Sequence, residues 1–216
     1  MSRSSLSQKA EAKRAFIIEK ATLCLAQKGY AHVSLRDIAK ESGVSLGILH
    51  YYFASKEDLL LAVIASYKEG FIRVLESKVI EAPLTGWMHS LLDVLRCSLT
   101  EDHAMHRLWY DLQVQAMYVP AFREQVTEIR ARLHSLIAQM LDRLTEEHGI
   151  SLIPEIDAAV ALLYSLIDGL FLQSLLSESS EPNDVIARFE NTFPHVIHSF
   201  FLPAGVSPTP IKRGEA

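Results

Sequence analysis

The sequence predicts an all-α protein. Through nearly all of its 216 residues, apolar side chains recur at the spacing of a helix face, and no segment shows the sustained alternation of a strand. Four helix starts occur in about 45 residues of the first part of the chain, and a serine cap marks three of them. With 49% hydrophobic and 22% charged residues, the composition is that of a globular protein.

The first predicted helix runs from residue 10 to residue 28. It ends at Gly29, the residue type that most often stops a helix. Its expected buried face is formed by Ile17, Ala21, Cys24 and Leu25. Residues 1–9 before it are expected to form a flexible arm.

Three more helices follow closely, and serine is expected to cap each of them. Ser34 and Ser55 are each followed three residues later by an aspartate, which is the spacing of a capping box. Between them, Gly43 ends the short second helix and Ser45 caps the third. We therefore assign residues 1–56 to one domain.

The rest of the chain is predicted to form a second, larger helical domain over residues 57–202. Its first helix is the one that follows the Ser55 cap. The later helices are expected at 86–99, 101–118, 121–148, 155–177 and 183–201. The tail 203–216 holds three prolines and is expected to be disordered.

The predicted helix 155–177 is apolar nearly all round, and a helix with two apolar faces must be buried on both. One small domain can scarcely cover this helix and the apolar helix 183–201. We therefore expect these two helices to pair with their copies in a homodimer. A central helix within a monomer is the alternative.

Charge is distributed unevenly along the chain. Residues 1–56 carry nine Lys or Arg and four acids, a net charge of +5, which leaves −10 for the remaining residues. A basic N-terminal segment followed by an acidic remainder suggests that the N-terminal segment contacts a polyanion.

Cys24 and Cys97 both lie in apolar runs and are expected to be buried thiols in a reducing compartment. With no signal-peptide pattern, we expect a cytoplasmic protein that does not enter a membrane.

Residues 43–47, GVSLG, match the G-x-S-x-G pattern of a serine hydrolase nucleophile elbow. That elbow needs a strand before the serine, whereas a capped helix precedes Ser45 here. Ala39, Gly43 and Leu49 instead have the spacing of a helix-turn-helix. In such a unit the second helix enters the major groove of DNA.

Residues 17–64 resemble the DNA-binding domain of the TetR family of transcriptional regulators, with GVSLGILHYYFASKEDL as the most specific portion. The segment LYSLIDGLFLQSLL is similar to the eighth helix of BetI-type members. The resemblance implies a homodimeric repressor, a palindromic double-stranded DNA operator and a small-molecule effector that releases DNA. It implies no enzyme activity, cofactor or metal.

The resemblance also implies site residues. The DNA-binding set is Ser34, Arg36, Ser45, Leu46, Gly47, His50, Tyr51, Tyr52 and Lys56. Within it, Ser34, Arg36, Tyr51 and Lys56 are expected at phosphates, and Phe53 is expected in the core. Leu46 and His50 depart from the residues common in the family. Leu46 and Ile48 cannot read hydrogen-bonding groups, but either can touch a thymine methyl.

The effector is expected among the C-terminal helices, where the candidate ligand-binding residues are Trp109, Gln113, Met117, Tyr164 and Asp168. Its binding is expected to shift the fourth helix through Tyr67 and Phe71. Asp168 serves either the ligand or the dimer interface. The histidine pairs 103/106 and 195/198 have the spacing of zinc ligands but lack a third ligand.

Two other functions remain open from the sequence. One is a serine hydrolase that uses Ser45, and the other is a ligand-binding protein that has lost DNA binding.

Overall fold

A computed structural model describes residues 3–177 and 182–202, with side chains described over 7–177 and 184–202. The described residues are almost entirely helical, which confirms the predicted all-α class. The predicted disordered tail, 203–216, lies outside the described residues.

The helices lie close to their predicted positions. They are α1 (Arg3–Lys28), α2 (Leu35–Glu41), α3 (Leu46–Tyr52), α4 (Lys56–Leu75), α5 (Trp87–Glu101), α6 (His103–Ala116), α7 (Pro120–His148), α8 (Ile156–Leu176) and α9 (Pro182–His198). A single 3₁₀ turn, Tyr30–His32, follows α1, and α4 continues into a π-helical turn, Glu76–Ile80. Residues 3–9, where we predicted a flexible arm, have a helical backbone that continues α1.

Two strands were not predicted. β1 (Ser151–Leu152) pairs antiparallel with β2 (Phe201–Leu202), with Ser151 opposite Leu202. Two residues are too few to produce a recognisable alternating pattern, and each strand gains its hydrogen bonds from a segment some fifty residues away in the sequence.

The chain divides into two compact units. The first contains residues 1–73 and 97–130, and the second contains residues 74–96 and 131–216. The helix-turn-helix segment lies wholly in the first unit, together with most of α4 and all of α6. The division into domains at residue 56 stays a prediction.

In the first unit, α1 packs on α2 and α6, and α2 packs on α3. The predicted buried face of α1 is confirmed, since Ile17, Ala21, Cys24 and Leu25 are all buried. Phe53, expected in the core, is fully buried after α3. The prediction for Cys97 was wrong. Its thiol is exposed because the buried stripe of α5 runs through residues 94, 95, 98 and 99 and leaves position 97 on the opposite side.

In the second unit, α8 packs against α9. The core cluster they share contains Leu141, Ala159, Val160, Leu163, Phe193 and Ile197. A second set of α8 side chains stays exposed in the single chain, including Leu162, Leu166, Leu172 and Leu176. α8 is long and apolar enough to span a membrane by length and composition, a test that core helices of other proteins also pass.

Candidate nucleic-acid interface and effector site

Local hydrogen bonds fix the turn between α2 and α3. The Asp37 backbone N–H donates to Ser34 Oγ over 3.2 Å, and the Ser34 backbone N–H donates to Asp37 Oδ2 over 2.8 Å. This reciprocal pair is the capping box predicted from the sequence. The hydrogen bonds from the Ser34 side chain and backbone lower the pKa of the Asp37 carboxyl. Gly43 then turns the chain at φ 61°, a left-handed conformation that favours glycine.

Ser45 caps α3. Its Oγ accepts a hydrogen bond of 3.2 Å from the backbone N–H of Ile48, so the hydroxyl satisfies a free donor of the first helical turn. The described residues before it form a helix and a turn, and the two described strands, β1 and β2, lie more than a hundred residues further along the chain. The structural context of a nucleophile elbow is therefore missing around Ser45.

The two faces of α3 differ sharply in exposure. Leu49 is fully buried and anchors the helix to the first unit. On the other face Gly47 and His50 are exposed, Ile48 is 44% exposed and Tyr51 is 80% exposed. We call Gly47, Ile48, His50 and Tyr51 the reading face. This face projects an apolar residue, an imidazole and a phenol from a helix that is fixed on its opposite side.

The remaining predicted DNA-binding residues flank this face. Ser34 and Arg36 are exposed at the start of α2, Leu46 and Tyr52 are half-buried on α3, and Lys56 is the first residue of α4. All nine residues predicted to bind DNA thus lie in one stretch of the first unit.

Lys56 is held in place by its surroundings. Its Nζ lies 4.1 Å from the centroid of the Tyr30 ring, in the position of a cation–π contact. The Tyr30 hydroxyl donates to Glu57 Oε1 over 3.1 Å. Burial, and to a lesser extent the Glu57 carboxylate, raises the pKa of Tyr30 to about 12. The Tyr30 ring therefore stays neutral at neutral pH, and the lysine that it contacts is the first residue of α4.

Two helices joined by a tight turn, the second of them capped and exposed, are typical of a helix-turn-helix DNA-binding protein. Here the two helices are α2 and α3. Residues 17–63 match the family described as bacterial regulatory proteins of the tetR family, and residues 86–195 match the BetI-type transcriptional repressor C-terminal family. The chain belongs to the TetR family of transcriptional regulators.

Among curated relatives, the chain is 29% identical over 167 residues to the HTH-type transcriptional regulator BetI of Agrobacterium fabrum, covering 76% of this chain and 77% of that protein. It is 25% identical over 181 residues to BetI of Brucella melitensis, covering 83% of this chain and 88% of that one.

Solved structures share the fold. A TetR regulator from Haloarcula marismortui aligns with a TM-score of 0.78 at 20% identity, over 89% of this chain and all 100% of that one. A transcriptional regulator from Saccharomonospora viridis, solved in complex with choline, aligns with a TM-score of 0.74 at 25% identity, over 90% of this chain and 100% of that one.

The five predicted ligand-binding residues fall in both units. In the first unit, Trp109 is buried and Gln113 is half-buried, whereas Met117 is 67% exposed. In the second unit, the buried ring of Tyr164 meets His134 edge to face with centroids 4.7 Å apart, and Asp168 is half-buried. Sequence reasoning proposed these residues as one site, and that grouping stays a prediction.

The structure reveals a polar cluster in the first unit that sequence reasoning did not assemble. The Tyr67 hydroxyl lies 3.3 Å from Ser98 Oγ and 3.2 Å from His106 Nε2, and it donates to Asp102 Oδ2 over 3.4 Å. Ser98 Oγ and His106 Nε2 lie 2.9 Å apart. The cluster ties α4, which starts at the DNA-binding segment, to α5 and α6.

Burial sets the protonation states in this cluster. Desolvation, and to a lesser extent the positive charge of Lys68, lowers the pKa of His106 to about 3. Its imidazole is therefore neutral at neutral pH. Desolvation also raises the pKa values of Tyr67 and Asp102. His106 therefore serves as a hydrogen-bonding group, not as a charge. Among the residues with described side chains, no group of three or more His, Cys, Asp or Glu is placed to hold a metal.

Lys68 is the other functional candidate that sequence reasoning missed. It is only 4% exposed. Its position follows Leu60 and Ile64 and precedes Ile72 at intervals of four residues, so it lies on the buried stripe of α4. A lysine on an otherwise apolar stripe was the available signal, because lysine is almost never fully buried without a partner.

Proposed function

We propose that this regulator binds a palindromic operator as a homodimer, represses transcription, and is released by a small-molecule effector. The reading face of α3 carries the proposal: it is exposed, rigidly anchored through Leu49, and flanked by cations at Arg36 and Lys56. A dimer would place two such faces in successive major grooves, about one helical turn apart. The nine predicted DNA-binding residues form the contact set.

The exposed apolar side chains of α8 support the homodimer. Leu162, Leu166 and Leu176 lie on the side of α8 that the single chain leaves open, and apolar patches of this kind mark interaction surfaces. A second copy would bury them against its own α8 and α9.

The protein acts in the cytoplasm, where its DNA lies, and it has no enzymatic role. The engagement of Ser45 Oγ as a helix cap argues against the serine hydrolase alternative.

The choline complex of the Saccharomonospora viridis regulator supports an effector site in this fold. We place the effector of this chain in the first unit, next to Trp109 and Gln113. The Gln113 Nε2 atom is buried there without a hydrogen-bond partner among the described residues. Because Met117 is mostly exposed, it does not contribute a wall of the site.

A phosphate-contact variant tests the DNA-binding proposal. Binding to the DNA upstream of the protein's own gene is measured by gel shift over a series of salt concentrations. Each lost phosphate contact lowers the salt slope by about one, so Lys56→Ala is expected to weaken binding and to lower the slope of the dimer by about two. Lys78→Ala removes an exposed lysine of the second unit and is the matched control. If Lys56→Ala behaves like Lys78→Ala, the phosphate role of Lys56 is wrong. If the wild-type protein does not shift this DNA, the proposal of an operator there fails.

A further inference from the structure

We propose that the N-terminal half of α1 is a second DNA-contacting element, in which Lys9, Lys13 and Arg14 bind the sugar-phosphate backbone of duplex DNA beside the end of α3. None of these three residues belongs to the nine that the sequence predicted to bind DNA. The inference rests on the DNA binding proposed above and deepens it, because it adds a further surface for the same partner.

The first half of α1 is a helix without a buried side. We call residues 3–16 the α1 extension. Every side chain of residues 7–16 is exposed or half-buried, and burial begins abruptly at Ile17 and Ile18. Residues 8–15, QKAEAKRA, are all strong helix formers, so propensity and continuity with the packed half of α1 suffice to keep them helical. The α1 extension therefore projects beyond the core of the first unit.

Arg14 locates the point where the α1 extension leaves that core. Its guanidinium carbon, Cζ, lies 5.0 Å from the ring centroid of Phe53, the buried residue that ends α3. Phe53 directly follows Tyr51 and Tyr52, the last two residues of α3. The exposed Arg14 side chain is therefore next to the end of the helix that carries the reading face. From Arg14 the helical backbone continues for about 16 Å to residue 3.

The α1 extension is cationic. Residues 7–16 contain Lys9, Lys13 and Arg14 but one acid, Glu11, which gives a net charge of +2. Lys9 and Lys13 are four residues apart and share one side of the helix, whereas Arg14 lies on the side that meets the end of α3. Long cationic side chains on two sides of one narrow helix make the whole projecting segment positive.

Duplex DNA is the partner that matches this surface. Residues 7–15 include no large apolar side chain, so they offer no stripe on which the apolar face of another protein would pack. DNA carries one negative charge for every ~1.7 Å of its axis, and a backbone that reaches the end of α3 continues past it. A cationic helix that starts at this end lies in the path of further phosphates. Such contacts position the protein and read no bases.

Salt dependence tests the contacts on two DNAs. Fluorescence anisotropy measures binding to mixed-sequence genomic fragments and to the DNA upstream of the protein's own gene, over a series of salt concentrations. Lys9→Gln and Arg14→Gln each remove a charge and keep a good helix former. Each variant should bind roughly tenfold more weakly and lower the salt slope of the dimer by about two. Lys78→Gln, at an exposed position of the second unit, should leave both quantities unchanged.

Arg14→Lys separates the charge of Arg14 from its packing on Phe53. The variant keeps the positive charge and loses the guanidinium group that contacts the ring. Since the salt slope counts charges at phosphates, Arg14→Lys should keep the wild-type slope and Arg14→Gln should not. A role limited to packing predicts one slope for both variants. Urea titrations compare the stability of the two proteins.

Lysine acylation read by mass spectrometry needs no variant. Lys9 is exposed and should react readily in the free wild-type protein. Saturation with mixed-sequence DNA should lower its labelling severalfold, because the ammonium group is then held at a phosphate. Lys78 is the internal reference and should react equally in both samples.

Two results would overturn the inference: wild-type salt slopes for both Lys9→Gln and Arg14→Gln on both DNAs, or equal labelling of Lys9 in free and bound protein. Because phosphate contacts do not depend on sequence, the mixed-sequence fragments test the α1 extension without an operator. Equal wild-type affinity for the two DNAs, with lowered slopes in the variants, would refute the proposed operator and support the α1 extension. A wild-type protein that binds neither DNA would refute both.

Discussion

Replacing Ile48 with alanine should relax the preference of the protein for particular thymines in its operator. Ile48 lies on the reading face with 44% of its surface exposed, in the first turn of α3 behind the Ser45 cap. An isoleucine cannot accept or donate a hydrogen bond. In the major groove its counterpart is the thymine 5-methyl group, the apolar group on the edge of an A·T pair.

The magnitude follows from the area that such a contact removes from water. Burying one methyl group contributes about 0.8 kcal/mol, a roughly fourfold change in Kd. A dimer presents two copies of α3, so loss of both symmetry-related contacts should cost about 1.6 kcal/mol, or roughly fifteenfold. Uracil lacks the 5-methyl group but keeps the hydrogen-bonding groups of thymine, so it removes this contact alone.

The assay is a double-mutant cycle read by fluorescence anisotropy. Wild-type protein and Ile48→Ala are titrated with the footprinted operator and with versions in which one symmetric pair of thymines is replaced by uracil. At the contacted pair, wild-type affinity should fall roughly fifteenfold, whereas Ile48→Ala should lose little further affinity.

Val114→Ala, at an exposed position on α6, is the control and should respond to uracil as the wild type does. The reasoning is refuted if every uracil replacement is neutral for the wild-type protein, or if its cost is the same in Ile48→Ala.

Other changes test the rest of the structure. Ser45→Ala removes the acceptor for the Ile48 N–H and should lower the free energy of unfolding by about 1 kcal/mol in urea titrations, while an unchanged midpoint would rule out the cap. Because the folded-state pKa of His106 is lowered to about 3 from 6.5, the unfolded state binds the extra proton first as pH falls. The wild type should therefore lose stability between pH 6.5 and about 3. His106→Gln should flatten that dependence. Equal pH profiles for His106→Gln and wild type would contradict the burial argument. Leu162→Glu should convert the dimer to a monomer in analytical ultracentrifugation, and a dimer that persists would place the interface elsewhere.

The DNA-binding segment was largely predictable because its determinants are local. The Ser34–Asp37 box, the cap at Ser45 and the turn at Gly43 each involve residues within four positions of one another, and the structure contains all three. Short-range hydrogen bonds of this kind leave a readable pattern in the sequence. The apolar stripe of α1 was predictable because its residues recur along the sequence at the spacing of one helix face.

The polar cluster was not predictable from spacing. Tyr67 bonds to residues 31 to 39 positions away, and a single sequence does not indicate which polar groups meet across helices. His106 looked like half of a zinc pair, because its spacing from His103 is visible and its contact with Ser98 is not. The position of Lys68 on an apolar stripe is visible in the sequence. The aromatic rings around it are not, because they come from two different helices.

Photo-crosslinking of the protein to its operator tests most directly that the reading face of α3 contacts DNA. Thymines of the footprinted site are replaced with 5-bromouracil, which preserves the size of the 5-methyl group, and crosslinked peptides are identified by mass spectrometry after irradiation. We predict crosslinks within residues 46–52, reduced in Ile48→Ala at the contacted thymine. Crosslinks that map only to the second unit, or that are unaffected by every substitution on α3, would contradict the account.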